Sequence, residues 1–196
     1  MNLSKYNGNI HPDEWINDIR NYPGHPRYNY LNYAISLVDT TIKLPNSIDS
    51  FEKLGNALKE DISFVIFKNT NKRKLQLLKY LPESKGGDTS KFISNFRKLC
   101  YNAEINDIEE QKNYLYKSLQ NDYFLTEFFK KKEKINSTNE LIKEFDEIVA
   151  DELNLIRDKS IVALKHIATG KYLSSIKNLR YITGSATQSV CFFIII

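Results

Sequence analysis

Cysteine, glycine and proline are all scarce in this chain. Its 196 residues include two Cys, seven Gly and five Pro, with 41% hydrophobic and 27% charged residues. This composition excludes collagen-like and low-complexity chains and favours a folded core. Cys100 and Cys191 lie far apart, without a CxxC motif or a nearby His cluster, so neither a disulfide framework nor a zinc site is expected.

Long hydrophobic runs are also missing. The longest uninterrupted apolar run is Val190 to Ile196, far below the roughly 20 residues that span a bilayer. The opening MNLSKYNGNIHPDEW has no apolar stretch after its first charges, as a secretory signal would. We therefore expect no transmembrane segment and an intracellular, cytoplasmic protein.

The sequence contains none of the common catalytic or phosphate-binding motifs. GxxxxGK[ST] and GxGxxG are both absent, and the three His residues, at positions 11, 25 and 166, are dispersed. Neighbouring carboxylates such as Glu109 and Glu110 point in different directions on a helix and do not converge on one atom. We expect no enzyme activity, no cofactor and no metal site.

Acidic residues are absent from the last part of the chain. All 24 Asp and Glu lie in residues 1–158, and the 38 residues that follow carry five Lys or Arg. This break in composition predicts a domain boundary near residue 158. Residues 1–158 are expected to form an α-helical region, either as one array or as two lobes, 1–82 and 83–158, and residues 159–196 a separate C-terminal part.

Apolar spacing of three and four residues predicts helices throughout residues 1–158. The first helix is expected to begin at Pro12, and Asp49 is expected to cap a helix that continues to Ile66. Asp88 or Thr89 is the expected cap of another helix. The residues expected on buried faces include Trp15, Ile16, Ile19, Leu54, Leu58, Ile62, Val65, Ile66, Phe92, Phe96, Leu99, Leu141 and Phe145.

After residue 157 the pattern changes to a period of two, with β-branched residues and a Gly-containing turn. SIVALKHIATGKYLSSI is typical of a β-hairpin. The fold class predicted for the whole chain is therefore mostly α: an N-terminal helical array followed by a short C-terminal β segment.

SIVALKHIATGKYLSS resembles the opening repeat of the MIR domain, a β-trefoil module of protein O-mannosyltransferases and of inositol-trisphosphate and ryanodine receptors. The matching residues include His166, Thr169, Gly170, Lys171 and Tyr172. A complete trefoil needs three repeats and this sequence ends after about one, so residues 159–196 are expected to be an incomplete, partial β-trefoil. The resemblance implies binding of a protein or glycan ligand, with these five residues either contacting it or building the turn and strands.

Residues 8–130 are similar to a retrotransposon Gag capsid segment, with an early Trp on an amphipathic helix and a later FxxxFxxL helix. The matching positions are Trp15, Phe92, Phe96, Leu99, Leu115 and Leu119. This resemblance implies self-assembly, with RNA contact through basic faces.

One basic cluster stands apart from the acidic residues. It consists of Lys68, Lys72, Arg73, Lys74 and Lys79, and it fits either a solvated helix face or contact with an anion such as RNA. Two functions follow from the sequence. The first is a non-catalytic, MIR-domain-containing interaction protein with a helical region for partner binding or self-association, and the second is a domesticated Gag-like capsid protein that self-assembles and binds RNA.

Overall fold

A computed structural model of the chain describes residues 4–22 and 30–155, together with the backbone of three short strands between residues 164 and 193. The chain divides into two compact units, Met1–Leu153 and Asn154–Ile196. Among the residues described, every helix is too short or too polar to cross a bilayer.

The prediction of a mostly α-helical chain is confirmed, since the described part of the first unit contains eight α-helices. They are α1 (Pro12–Arg20), α2 (Tyr30–Ser36), α3 (Phe51–Glu60), α4 (Ile62–Leu77), α5 (Thr89–Asn102), α6 (Ile108–Ser118), α7 (Asp122–Lys131) and α8 (Thr138–Leu153). Short 3-10 turns at Glu83–Lys85 and Lys132–Lys134 precede α5 and follow α7.

Local capping chemistry sets where most of these helices begin. Asp88 accepts a hydrogen bond from the backbone N–H of Lys91 at 2.8 Å and caps α5, as one of the two expected residues. Helix α1 begins at Pro12 as predicted. The predicted cap at Asp49 is wrong by one residue, because Ser50 has the extended backbone and accepts from Lys53 N, while Asp49 instead pairs with the Lys53 ammonium at 2.6 Å.

The prediction of one helix from Phe51 to Ile66 is wrong. Asp61 adopts an extended conformation with ψ 144° and ends α3, and its carboxylate accepts from Ser63 N at 2.8 Å to cap α4. The break resets the rotation of the following helix, so Phe64 is buried while Ile62 and Ile66 face outward.

The first unit buries two hydrophobic clusters. The N-terminal cluster is formed by α1, α2, α3 and the adjoining loops, with Tyr6, Trp15, Ile16, Ile19, Ala34, Val38, Ile42, Leu54 and Leu58 buried. The second cluster runs from Leu75 to Val149 and is rich in aromatic rings. At its centre Tyr80 meets Phe92, Phe124 and Phe145 edge-on, with ring centroids 4.9–5.1 Å apart, a favoured geometry for aromatic pairs.

The described part of the second unit is one antiparallel sheet of three strands. They are β1 (Leu164–Lys165), β2 (Tyr172–Ile176) and β3 (Ser189–Phe193), in the order β1-β2-β3. Leu164 pairs with Leu173, and Ser174 pairs with Cys191.

The interpretation of the C-terminal part as a MIR-like β-trefoil is wrong. Among the described residues, regular structure is helical apart from this small sheet and a single bridge between Tyr6 and Val38. Alternating apolar residues around a Gly-containing turn are what any antiparallel hairpin requires. The motif that carried the resemblance therefore specifies local strand pairing and does not specify a trefoil.

Candidate functional site

The basic cluster expected to contact an anion lies on α4 and just beyond it. Lys68, Lys72, Arg73 and Lys74 are on the helix, and Lys79 follows its end. Helix α4 carries these four cations and no acidic residue. The Asp61 carboxylate caps the start of this helix.

Three of the five cations are bound within the fold. Lys68 Nζ lies 3.2 Å from a Glu104 carboxylate oxygen, and Lys72 Nζ lies 3.0 Å from one of Glu110. The hydrogen bond with Glu110 raises the pKa of Lys72. Lys79 donates to the backbone carbonyl of Lys117 at 3.0 Å.

Arg73 and Lys74 are exposed. Arg73 makes a long hydrogen bond of 3.5 Å to the Thr70 hydroxyl on its own helix. Lys68, Lys72 and Lys79 thus connect α4 and the residue beyond its end to α5 and α6. The remaining two cations accompany an apolar surface.

That surface is the outward side of α4, which we term the α4 outer face: Ile62, Val65, Ile66, Asn69, Arg73 and Leu77. Ile62, Ile66 and Leu77 are 68%, 57% and 77% exposed. These positions recur at three- and four-residue intervals and so share one side of the helix over a length of about 22 Å. Their exposure is unusual because large aliphatic side chains normally cover a core.

Sequence reasoning missed this face because it assigned Ile62, Val65 and Ile66 to a buried stripe. One signal could have revealed it. The segment ISFVIF has five apolar residues in six positions, which is more than a single buried side of a helix can hold. Some of them had to face solvent or a partner.

A second polar constellation joins the two hydrophobic clusters of the first unit. His11 is 2% exposed, and its Nδ1 accepts a hydrogen bond from the backbone N–H of Asp13 at 3.2 Å, which makes it the N-cap of α1. Its ring packs edge-on against Phe64 and lies 4.5 Å from the ring of Tyr101. Burial lowers the pKa of His11, against the opposing effect of Asp13.

Glu104 completes this junction from the end of α5. Its carboxylate lies 3.8 Å from His11 Nε2, 3.8 Å from Lys59 Nζ and 3.2 Å from Lys68 Nζ. Lys59 also pairs with Asp13 at 2.7 Å. These contacts connect α1, α3 and α4 to the end of α5.

Of the residues expected to bind a ligand in the C-terminal part, His166, Thr169, Gly170 and Lys171 lie outside the described residues. Tyr172 is the first residue of β2, where it pairs with Lys165 and Phe193 across the sheet. Within the described ranges no group of three or more His, Cys, Asp or Glu side chains is arranged to hold a metal ion.

Comparison of the chain with protein families, with curated proteins and with solved structures found no match. The MIR resemblance is therefore wrong at the level of family as well as of fold, and the Gag-like resemblance gains no support. Spacing of apolar residues on amphipathic helices, which carried the capsid comparison, is common to helical proteins in general. Function has to be argued from the surface of the helical unit itself.

Proposed function

We propose that this protein is a non-catalytic interaction protein, and that its helical unit docks an acidic amphipathic helix of a protein partner on the α4 outer face. The observation that carries the proposal is the exposure of aliphatic side chains on one side of a helix without acidic residues. Helix-in-groove and helix-on-helix recognition use anchors at this spacing. Arg73 on the face and Lys74 beside it favour carboxylates around the partner's apolar stripe.

Charge argues against a second copy of this chain packing α4 against α4. Because Arg73 and Lys74 are exposed on α4 and the helix carries no acid, such a pair would bring these like charges together, which costs affinity. An acidic partner removes that penalty and gains attraction instead.

Charge also argues against a nucleic acid as the main ligand. Lys68 and Lys72 already face Glu104 and Glu110, and both ends of the α4 outer face are aliphatic. Phosphate contacts need a track of available Lys and Arg side chains, and affinity rises with their number. Apolar anchors such as Ile62 and Leu77 add to protein docking and add little to phosphate binding.

The experiment uses the full chain and a synthetic amphipathic peptide, long enough at about 18 residues to form a helix. Its apolar side is leucine and its polar side glutamate, and a matched peptide carries lysine in place of every glutamate. Fluorescence anisotropy of the labelled peptides measures binding. We expect the glutamate peptide to bind and the lysine peptide to fail.

Two variants locate the binding. Replacing Ile62 and Leu77 together by Ser removes two exposed anchors and should weaken binding at least about tenfold, because each anchor buries apolar area worth about 1.5 kcal/mol or more. Phe129→Ser is the matched control, since Phe129 is 60% exposed and lies on a different helix, α7. It should bind the glutamate peptide as the wild type does.

Several results would overturn the proposal. Equal affinity for both peptides, or equal loss with Phe129→Ser, would show general hydrophobic adhesion. Salt-sensitive binding of RNA or of phosphatidylserine vesicles through Ile62 and Leu77, without binding of the glutamate peptide, would assign the face to a different ligand. Concentration-dependent association of the chain that the Ile62 and Leu77 variant abolishes would identify a second copy as the occupant.

A further inference from the structure

A cleft of about 320 Å³ lies beside the α4 outer face, between the N-terminal segment and α4. One wall is the backbone and side chains of Asn7, Gly8 and Asn9. The other wall is α4, from Ser63 to Lys74. The volume suits one residue-sized group and is too small for a folded ligand.

Gly8 fixes the first wall against the helix. It has a positive φ of 82°, and a Cβ at this position would lie 2.5 Å from the Ser63 Cβ. Only glycine allows this conformation and this approach. Asn7 accepts a hydrogen bond from Asn9 N at 3.2 Å across the same turn, so the wall is a defined turn and not an open chain.

The lining is rich in hydrogen-bond donors and carries one charge. Side-chain amides come from Asn7, Asn9 and Asn71, and the single cation is the Lys74 ammonium at the exposed edge. The Thr70 hydroxyl already donates to a backbone carbonyl of its own helix at 2.8 Å. The Ser63 hydroxyl, in contrast, is buried and has no hydrogen-bond partner. No acidic residue lines the cleft. A group that accepts several hydrogen bonds and carries a negative charge fits this lining, and a cation does not.

The cleft is continuous with the α4 outer face through Ile66, which belongs to both. Thr70 and Lys74 follow Ile66 at intervals of four residues, so they lie along the same edge of the helix. A partner helix seated on the α4 outer face would therefore place the polar residues that flank its apolar stripe next to Lys74.

We propose that this cleft binds a carboxylate of the docked partner, with Lys74 as its ion-pair partner and the Asn side chains and the Ser63 hydroxyl as hydrogen-bonding groups. This inference rests on the proposed function and deepens it. The cleft gives the docking surface a polar, directional contact that the aliphatic anchors lack, and so it selects for acidic residues at one edge of the partner helix.

The test uses a small probe that cannot cover the α4 outer face. Glutamate blocked at both ends as N-acetyl-glutamate methylamide carries one side-chain carboxylate, and the corresponding glutamine compound is the neutral control. Amide NMR shifts of the full chain are followed during titration. We expect the glutamate compound to shift the backbone amides of Gly8, Asn9 and Thr70, and the glutamine compound to leave them unchanged.

Lys74→Gln should remove these shifts and weaken binding of the glutamate peptide about tenfold. Lys91→Gln is the matched control, since Lys91 is an exposed cation on α5 outside this cleft, and it should change neither result. Shifts that persist in Lys74→Gln, or that the glutamine compound reproduces, would overturn the inference.

The replacement of Ile62 and Leu77 by Ser separates the two proposals. This variant should lose the glutamate peptide and keep the shifts caused by the blocked glutamate. If the wild type binds the peptide and shows no shifts with the blocked glutamate, the cleft inference is refuted and docking stands. If the blocked glutamate shifts the cleft residues and the peptide does not bind, the docking proposal fails instead.

Discussion

Glu104 offers the sharpest test of how the first unit is held together. Its backbone conformation lowers the stability of the folded state, and its carboxylate raises it. It is the non-glycine residue with a positive φ, 53°, among the described residues. It follows the C-cap of α5 in a Schellman motif, in which Glu104 N donates to Tyr101 O and Ile105 N donates to Cys100 O. Glycine is the usual residue at this position.

The backbone term follows from the conformation. An L-residue in the left-handed region destabilises the fold by about 1–2 kcal/mol. Glycine avoids this strain, but the greater freedom of its unfolded chain lowers stability by about 0.4–1 kcal/mol. Glu104→Gly should therefore be more stable than Glu104→Ala by about 0.5–1 kcal/mol. Both variants lack the carboxylate, so their difference isolates the backbone.

The side-chain term follows from the ion pairs. Glu104 and Lys68 are about one-third exposed, so solvent screens their contact, and each such pair is worth about 0.2–1 kcal/mol. With Lys59 and His11 at longer distance, we expect Glu104→Gln to lose about 1 kcal/mol relative to the wild type. Glutamine keeps the strained backbone, so this difference isolates the charge.

Urea unfolding measures both terms. The single tryptophan, Trp15, is buried in the N-terminal cluster and reports it by fluorescence, while far-ultraviolet circular dichroism follows all the helices. At 1 M salt, where the screening length is about 3 Å, the difference between wild type and Glu104→Gln should shrink, and the difference between Gly and Ala should remain. The reasoning is refuted if Glu104→Gly is no more stable than Glu104→Ala, or if Glu104→Gln matches the wild type at low salt.

Three further predictions concern other buried positions. Because burial lowers the pKa of His11 below the unfolded value of about 6.5, the unfolded chain takes up a proton that the folded chain does not. The free energy of unfolding should therefore fall as pH drops from about 7 to 5, and His11→Asn, which keeps a capping oxygen, should show a shallower fall in urea titrations at each pH. Gly8→Ala should lower the free energy of unfolding by about 1–3 kcal/mol more than Gly86→Ala does. Both glycines have a positive φ, but of the two only Gly8 lies within contact distance of α4. Equal losses would show that backbone strain alone accounts for the effect. Burial raises the pKa of the Cys100 thiol to about 12, so in a Cys191→Ser background the native protein should resist thiol reagents and react only on unfolding, and rapid native labelling would contradict this.

The sequence predicted the features that depend on neighbouring residues. Helix α1 begins at Pro12 and Asp88 caps α5, because each of these starts is set by contacts over two or three residues. Where adjacent residues offered similar chemistry the prediction was wrong by one residue, as at Asp49, beside the actual cap Ser50. The choice between such neighbours depends on backbone angles that the surrounding chain sets.

The α4 outer face shows how one local error changes a functional interpretation. The apolar spacing from Phe51 onward continued in register, so Ile62 and Ile66 were assigned to the core. Asp61 interrupts that register, and the two side chains emerge on the surface. Because the three- and four-residue spacing of apolar residues continues across the break at Asp61, that spacing gives little sign that one helix ends there and another begins.

The sequence by itself determined that this chain is mostly helical, where α1 and α5 begin and that Trp15, Phe92, Phe96 and Phe145 are buried, because caps and amphipathic faces are set within a few turns of chain. Only the tertiary structure decided which cations are available to a partner. Lys68 and Lys72 find Glu104 and Glu110 about 36–38 residues away, and His11 meets Tyr101 across a junction of two clusters. Contacts between distant segments depend on how helices pack, and so the spacing of residues along the chain does not specify them.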